Sequence, residues 1–61
     1  MGGPSARAAI AKVEHKATRR RLYIMAIWYD NLGLAWFRLS DGTYIKPGEY
    51  SQWLIIETEV R

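Results

Sequence analysis

The sequence predicts a small α+β domain in which a short N-terminal helix packs on an antiparallel β-meander of three or four strands. Three observations lead to this prediction. All eight aromatic residues lie between Tyr23 and Trp53, and six of the nine basic residues lie at or before Arg21. The early part of the chain also spaces its apolar residues as a helix does, whereas the later part alternates them as strands do.

The chain has 61 residues and no cysteine, so neither a large core nor a disulfide can stabilise it. We expect residues 1–4 to be a disordered or non-native start and residues 5–61 to form one small domain. Within this domain, a basic helix covers 5–18 and an aromatic, β-rich body covers 22–61. Since one short helix hardly covers both faces of a sheet, we also expect a homodimer.

Helix 5–18 is predicted from its cap and its periodicity. Ser5 is a favourable N-cap, and apolar residues recur at spacings of three and four. They are Ala6, Ala9, Ile10, Val13 and Ala17. Because this stripe is narrow and rich in alanine, the helix is expected to pack closely on a flat surface such as a sheet.

The first strand of the body is predicted at 22–29, where aromatic and branched residues dominate and both faces are apolar. Turn-forming residues at 30–33 follow, and 34–40 resumes as a second strand. The Asp-Gly pair at 41–42 predicts a hairpin with a two-residue loop, so residues 43–46 form the returning strand.

The last segment has two interpretations. Pro47 and Gly48 break the preceding strand. Residues 50–60 alternate as a strand does, yet the first of them also fit helical spacing. Periodicity alone therefore does not decide whether residues 49–58 form a strand or a helix.

The chemistry of the chain argues against an enzyme. His15 is the sole histidine, no serine has an identifiable base, and no glycine-rich phosphate loop occurs. We therefore expect no catalysis, no cofactor and no bound metal, with His15 solvated on the surface. The apolar stretch 22–37 is too short to span a membrane and contains Asp30. With no cysteine, a cytoplasmic location is expected.

Basic residues are the strongest functional candidates. Arginine's planar guanidinium suits phosphate contact, and neutralised phosphates release counterions. The sequence therefore predicts a small, non-enzymatic, nucleic-acid-binding accessory or regulatory protein, with DNA favoured over RNA. Most aromatic residues should fill the core, while Trp36, beside Arg38, stays exposed for base stacking. The expected contact residues are Arg19, Arg20, Arg21, Lys16, Lys12, Arg38, Lys46 and Trp36.

A family resemblance supports DNA as the partner. Trp28 is followed by the stretch 37–39, a turn at 41–42, and the pairs 44–45 and 53–54. With this spacing, residues 28–54 resemble the wing of the small excisionase and MerR-type winged-helix DNA-binding modules. The resemblance implies a winged helix as the alternative fold, and DNA binding with bending or recruitment of a recombinase. It also implies that Arg38 and Lys46 are wing contacts to phosphate.

A protein partner is the alternative function. In that interpretation the chain is a homo-oligomeric protein-interaction or inhibitory module that uses an exposed aromatic surface or a sheet edge. Its affinity for the partner would change little with salt, whereas affinity for nucleic acid falls steeply as salt rises.

Overall fold

The computed structural model describes residues 9–58, which form one five-stranded antiparallel sheet. The strands are β1 (Ala11–His15), β2 (Arg21–Tyr29), β3 (Ala35–Leu39), β4 (Tyr44–Ile45) and β5 (Trp53–Thr58), and a 3₁₀ helix at Pro47–Gln52 joins β4 to β5. The order across the sheet is β4-β3-β2-β1-β5, so the last strand pairs with the first.

The predicted α+β fold is wrong, because residues 9–58 hold no helix of seven or more residues. The predicted helix 5–18 is replaced by β1 and a turn, and residues 5–8 lie outside the described part. Ala11 and Val13 are buried in the core, whereas Lys12 between them pairs on the opposite side, which is a period of two. Pairing with both β2 and β5 satisfies the backbone of β1. An isolated helix of this length is only marginally stable in water, so pairing within the sheet gives the more stable structure.

The winged-helix alternative fails for the same reason. Its hairpin exists as β3 and β4, but residues 22–29, which stand where its recognition helix would lie, belong to a strand. Helical structure is so scarce that nothing helical within residues 9–58 has the length and apolar character to cross a membrane.

β2 is the predicted first strand, and it links the two parts of the sheet. Its first half pairs with β1 and its second half with β3, and Ile24 is paired on both sides. The register shifts twice, with an extra residue in β2 between Ile24 and Ala26 and an extra residue in β5 between Ile55 and Glu57. Such irregularities bend and twist a strand, so they let the sheet curve around one apolar face.

The two hairpins are built alike. In β3–β4, the Leu39 carbonyl accepts a hydrogen bond from the Gly42 N–H at 3.0 Å, and the Leu39 N–H donates to the Thr43 carbonyl at 2.7 Å. The loop therefore has three residues rather than the predicted two, and Gly42 takes the left-handed conformation at φ 91°. In the β2–β3 hairpin, the Gly33 N–H donates to the Asp30 carbonyl at 2.9 Å, as the Gly42 N–H does to Leu39. Gly33 is also in the left-handed conformation, at φ 81°.

Residues 49–58 contain both a helix and a strand, the two structures that periodicity does not distinguish. The 3₁₀ helix takes the first part of this segment and β5 the rest. Glu49 closes the start of the helix, since its Oε1 accepts from the Lys46 N–H at 3.3 Å. The Tyr50 hydroxyl donates to the Ala35 carbonyl at 2.6 Å, which ties the helix to the start of β3.

The core is aliphatic, so the expectation that most aromatic residues fill it is wrong. All eight aromatic residues lie in the described part, and none is fully buried. Ile45 of β4 and Ile55 of β5 lie on opposite edges of the sheet yet line one apolar cavity of about 270 Å³, which shows how strongly the sheet curves. The buried apolar residues are Ala9, Ala11, Val13, Ile24, Leu39 and Ile45.

Candidate functional site

The strand register separates the core from an outer face. Residues that pair across antiparallel strands point to the same side of a sheet. Trp28 is opposite Trp36, and Arg38 is opposite both Ala26 and Tyr44. On β1 and β2, the pairs on this side are Lys12 with Tyr23 and Glu14 with Arg21. We call the surface formed by these residues the outer face.

An aromatic pocket opens at one end of the outer face. Its volume is about 320 Å³, and its lining residues are Trp28, Tyr29, Asp30, Trp36 and Tyr44. Trp28 is 56% exposed, Tyr29 70% and Tyr44 41%. The rings of Trp36 and Tyr44 meet edge to face with centroids 6.4 Å apart. Exposed apolar clusters of this kind mark binding surfaces.

Asp30 fixes the shape of this pocket. Its Oδ2 accepts from the Trp36 indole Nε1 at 3.0 Å, and its Oδ1 accepts from the N–H groups of Leu32 at 2.9 Å and Leu34 at 3.0 Å. The bond from Leu34, and next the bond from Trp36, hold the pKa of Asp30 below its ordinary value of 3.8. The carboxylate is therefore ionised at neutral pH and orients the Trp36 ring.

Two basic residues flank the pocket. Arg38 lies opposite Tyr44 in the β3–β4 ladder. The same register, continued by one residue, sets Lys46 opposite Trp36, and the backbone at Lys46 is still extended. Both side chains are exposed, and neither forms an ion pair within residues 9–58. The structure thus brings three predicted contact residues, Trp36, Arg38 and Lys46, onto one surface.

The predicted arginine cluster lies towards the other end of β2, and its members are ion-paired. Arg19 and Arg21 contact the two carboxylate oxygens of Glu14 at 3.0 and 3.1 Å, and Arg20 contacts Asp41 at 3.5 Å. The pKa of Glu14 lies below its ordinary value of 4.5, chiefly because of the hydrogen bond from Arg19 and next because of the one from Arg21. The three arginine side chains are still 62% to 78% exposed, so their contact with phosphate stays a prediction.

The two remaining predicted contacts lie away from the pocket. Lys12 is on the outer face, with its Nζ 5.6 Å from the centroid of the Tyr23 ring, a cation–π contact. Lys16 begins the turn after β1, and its N–H donates to the Gln52 carbonyl at 2.9 Å. Lys12 therefore shares a surface with Arg38, whereas Lys16 belongs to the turn.

His15 has a structural role rather than the solvated position predicted for it. Its Nδ1 accepts from the N–H groups of Ala17 and Thr18 at 3.2 and 3.3 Å. Its ring meets that of Trp53 edge to face, with centroids 4.8 Å apart. His15 thus stabilises the turn after β1. In the described part of the chain, no three His, Cys, Asp or Glu side chains are grouped so that they could hold a metal ion.

Among the five pocket residues, sequence reasoning selects only Trp36 as a contact residue. The sequence does not show the length of the β3–β4 loop, and this length sets the register of β4. A register shift of one residue moves the β4 side chains to the opposite face of the sheet. The predicted two-residue loop would set Tyr44 opposite Leu39, on the core side. The observed three-residue loop sets Tyr44 opposite Arg38, on the outer face. Trp28 likewise joins the pocket through its pairing with Trp36.

A scan against protein-family models, a search of curated proteins and a search of solved structures each found no match. The resemblance to excisionase and MerR-type modules is therefore neither supported nor refuted by relatives. A function must therefore be inferred from the geometry of the outer face.

Proposed function

We propose that this protein is a small, non-enzymatic binder of single-stranded nucleic acid and that the outer face is its contact surface. One observation carries the proposal. The three aromatic side chains Trp28, Trp36 and Tyr44 adjoin one another beside Arg38 and Lys46, two exposed cations that form no ion pair within residues 9–58.

This combination matches what a single strand offers. Unpaired bases stack on aromatic side chains presented by a sheet, and a cationic surface follows the phosphates. Arg38 and Lys46 lie on the ladder positions facing Tyr44 and Trp36, so base and phosphate contacts are adjacent. The bases of a duplex are already stacked on one another, which favours a single strand over the duplex. DNA is the first partner to test, followed by RNA.

Two members of the arginine cluster, Arg21 and Arg19, extend this surface along β2 in a secondary role. A strand leaving the pocket towards the start of β2 would reach Arg21 and then Arg19. Because Glu14 already neutralises part of their charge, each contributes less to phosphate binding than an unpaired cation does.

Fluorescence anisotropy tests this function, with labelled single-stranded DNA, single-stranded RNA and a matching duplex over a range of salt concentrations. We expect tighter binding to single strands. The variant Arg38→Gln/Lys46→Gln should bind more weakly, and the slope of log affinity against log salt should fall by about 1.4, since each phosphate contact on a single strand contributes about 0.7.

The matched control is Lys16→Gln/Arg20→Gln, which removes the same charge away from the pocket. It should leave the slope nearly unchanged. Failure of the wild-type protein to bind any single strand, or equal losses in the two double variants, would refute the proposal.

A protein partner is the second candidate, because β5 is an edge strand of the described sheet and its apolar residues Leu54, Ile55 and Ile56 are exposed. Partner binding that is insensitive to salt, lost in Ile55→Lys and unchanged in Arg38→Gln/Lys46→Gln would favour it. The homodimer, the accessory or regulatory role and the cytoplasmic location stay predictions.

A further inference from the structure

The aromatic pocket is an open cleft with room for a single flat ring. Its volume of about 320 Å³ is at the lower end of the range for ligand pockets, about 300–1,000 Å³. Four of its five lining residues are aromatic, and the fifth, Asp30, supplies its charged group. A ligand that enters must therefore satisfy both aromatic surfaces and a carboxylate.

Asp30 has one acceptor position left for a ligand. An ionised carboxylate offers about four positions to hydrogen-bond donors. Leu32 and Leu34 occupy two of them on Oδ1, and the Trp36 indole occupies one on Oδ2. Within residues 9–58 Oδ2 accepts only the bond from the Trp36 indole, so a ligand packed on the Trp36 ring can approach this oxygen.

The charges around the pocket select the class of ligand. A cation would be attracted by Asp30, but Arg38 and Lys46 beside the pocket would repel it. A nucleotide suits this arrangement of charges. Its flat base carries N–H donors for Asp30, and its anionic phosphate is attracted by Arg38 and Lys46. The pocket therefore suits one nucleotide of a strand.

We infer that the pocket holds one base of the bound strand and that Asp30 accepts a hydrogen bond from an exocyclic amino group of that base. The inference rests on the proposed single-strand binding. It selects cytosine over thymine, since cytosine presents an amino donor where thymine presents a carbonyl acceptor, and carboxylates accept from cytosine N4. A carbonyl facing Asp30 would leave two hydrogen-bond acceptors opposed to each other.

Equilibrium titrations of the protein with oligo(dC) and oligo(dT), each about eight nucleotides long, measure this preference at neutral pH. Both oligonucleotides carry pyrimidines of one ring size and identical backbones, so the base edge is the main difference. We expect oligo(dC) to bind about tenfold more tightly, as a single charge-assisted hydrogen bond permits.

Two variants assign the preference to Asp30. Trp36→Phe keeps an aromatic ring and the carboxylate, and it should keep the preference for oligo(dC). Asp30→Asn/Trp36→Phe differs from it at one position, and the amide can still accept from Leu32 and Leu34. In this double variant the affinity ratio should fall close to one. Circular dichroism checks that both variants are folded.

The outcomes separate this inference from the proposed function. Equal binding of the two oligonucleotides by the wild-type protein would overturn the inference and leave single-strand binding intact. A preference for oligo(dC) that survives in Asp30→Asn/Trp36→Phe would also overturn it. No binding of either oligonucleotide would overturn the inference, and no binding of any single-stranded DNA or RNA would refute the proposed function itself.

Discussion

Arg38 and Tyr44 lie directly opposite each other on β3 and β4, and both belong to the outer face. A strand that stacks a base on Tyr44 therefore places its phosphate near the Arg38 guanidinium. We expect Tyr44→Leu to weaken binding of single-stranded oligonucleotides by about 1–3 kcal/mol, the usual contribution of one base stacked on an aromatic ring. Tyr44→Phe should bind as the wild type does. Anisotropy titrations measure both, and a Tyr44→Leu variant of unchanged affinity would contradict base stacking at this position.

The ion pairs of Glu14 predict which arginines matter for stability. Glu14 is only 6% exposed and is held by both Arg19 and Arg21. We expect Arg19→Gln/Arg21→Gln to lower the melting temperature, because the substitutions leave a buried carboxylate without its cations. Arg20→Gln should have little effect, since its ion pair with Asp41 is solvent-exposed. Thermal unfolding monitored by circular dichroism compares them, and equal melting temperatures would contradict this role of Glu14.

Acid should destabilise the fold through three carboxyl groups. Hydrogen bonds lower the pKa of Glu14, Asp30 and Asp41 in the folded chain, chiefly those from Arg19, Leu34 and Thr43 respectively. In the unfolded chain these groups return to ordinary values of 4.5 and 3.8 and bind protons more readily.

The folded state is therefore favoured at pH values above those ordinary values, and the advantage is lost as pH falls through the folded-state values. We expect the melting temperature to be steady from pH 7 to about pH 5 and to decline below that. Thermal scans across this range test the expectation. Glu14→Gln should show a shallower decline, and a melting temperature that rises on acidification would contradict it.

Gly42 should resist substitution for a conformational reason. Its φ of 91° is disfavoured for residues with a Cβ, although an added Cβ would meet no atom within 4 Å. We expect Gly42→Ala to cost about 1–2 kcal/mol in the free energy of unfolding. Gly48→Ala is the matched control, because Gly48 also has open space but no positive φ. Urea denaturation distinguishes them, and equal effects would show that the β3–β4 loop tolerates a side chain.

Leu39 should be the most sensitive apolar position of β3. It is 2% exposed and packs in the core formed by β1 to β4. We expect Leu39→Ala to cost about 2–5 kcal/mol, a large part of the stability of so small a domain. Leu32→Ala, at a position that is 83% exposed, should change stability by no more than about 0.5 kcal/mol. Chemical denaturation measures both, and similar losses would contradict the assignment of the core.

The strands of the central region could be predicted from the sequence, because their signals are local. Runs of branched and aromatic residues mark β2 and β3, and glycines at 33 and 42 mark the turns between strands. β1 could not be predicted, since Ala9 and Val13 fit helical spacing as well as alternation. Pairing with β5, which is distant from β1 in sequence, decides between a helix and a strand.

The candidate site was predictable only in part. The alternation from Trp36 to Arg38 shows that these two side chains share a face. The position of Tyr44 depends on one residue of loop length, which an Asp-Gly pair does not specify. The ion pairs of Glu14 depend on the turn between β1 and β2, where Arg19 adopts φ 66° and a helix is absent. These features are consequences of tertiary pairing, so local patterns do not reveal them.

The pairing of His15 with Trp53 has a consequence for synthesis on the ribosome. The hairpins of β2, β3 and β4 can form as soon as they leave the exit tunnel, because their contacts are close in sequence. β1 is made before them but keeps one unpaired side until β5 emerges. β1 therefore presents an open strand edge until β5 emerges, and pairing with β5 protects that edge from other chains.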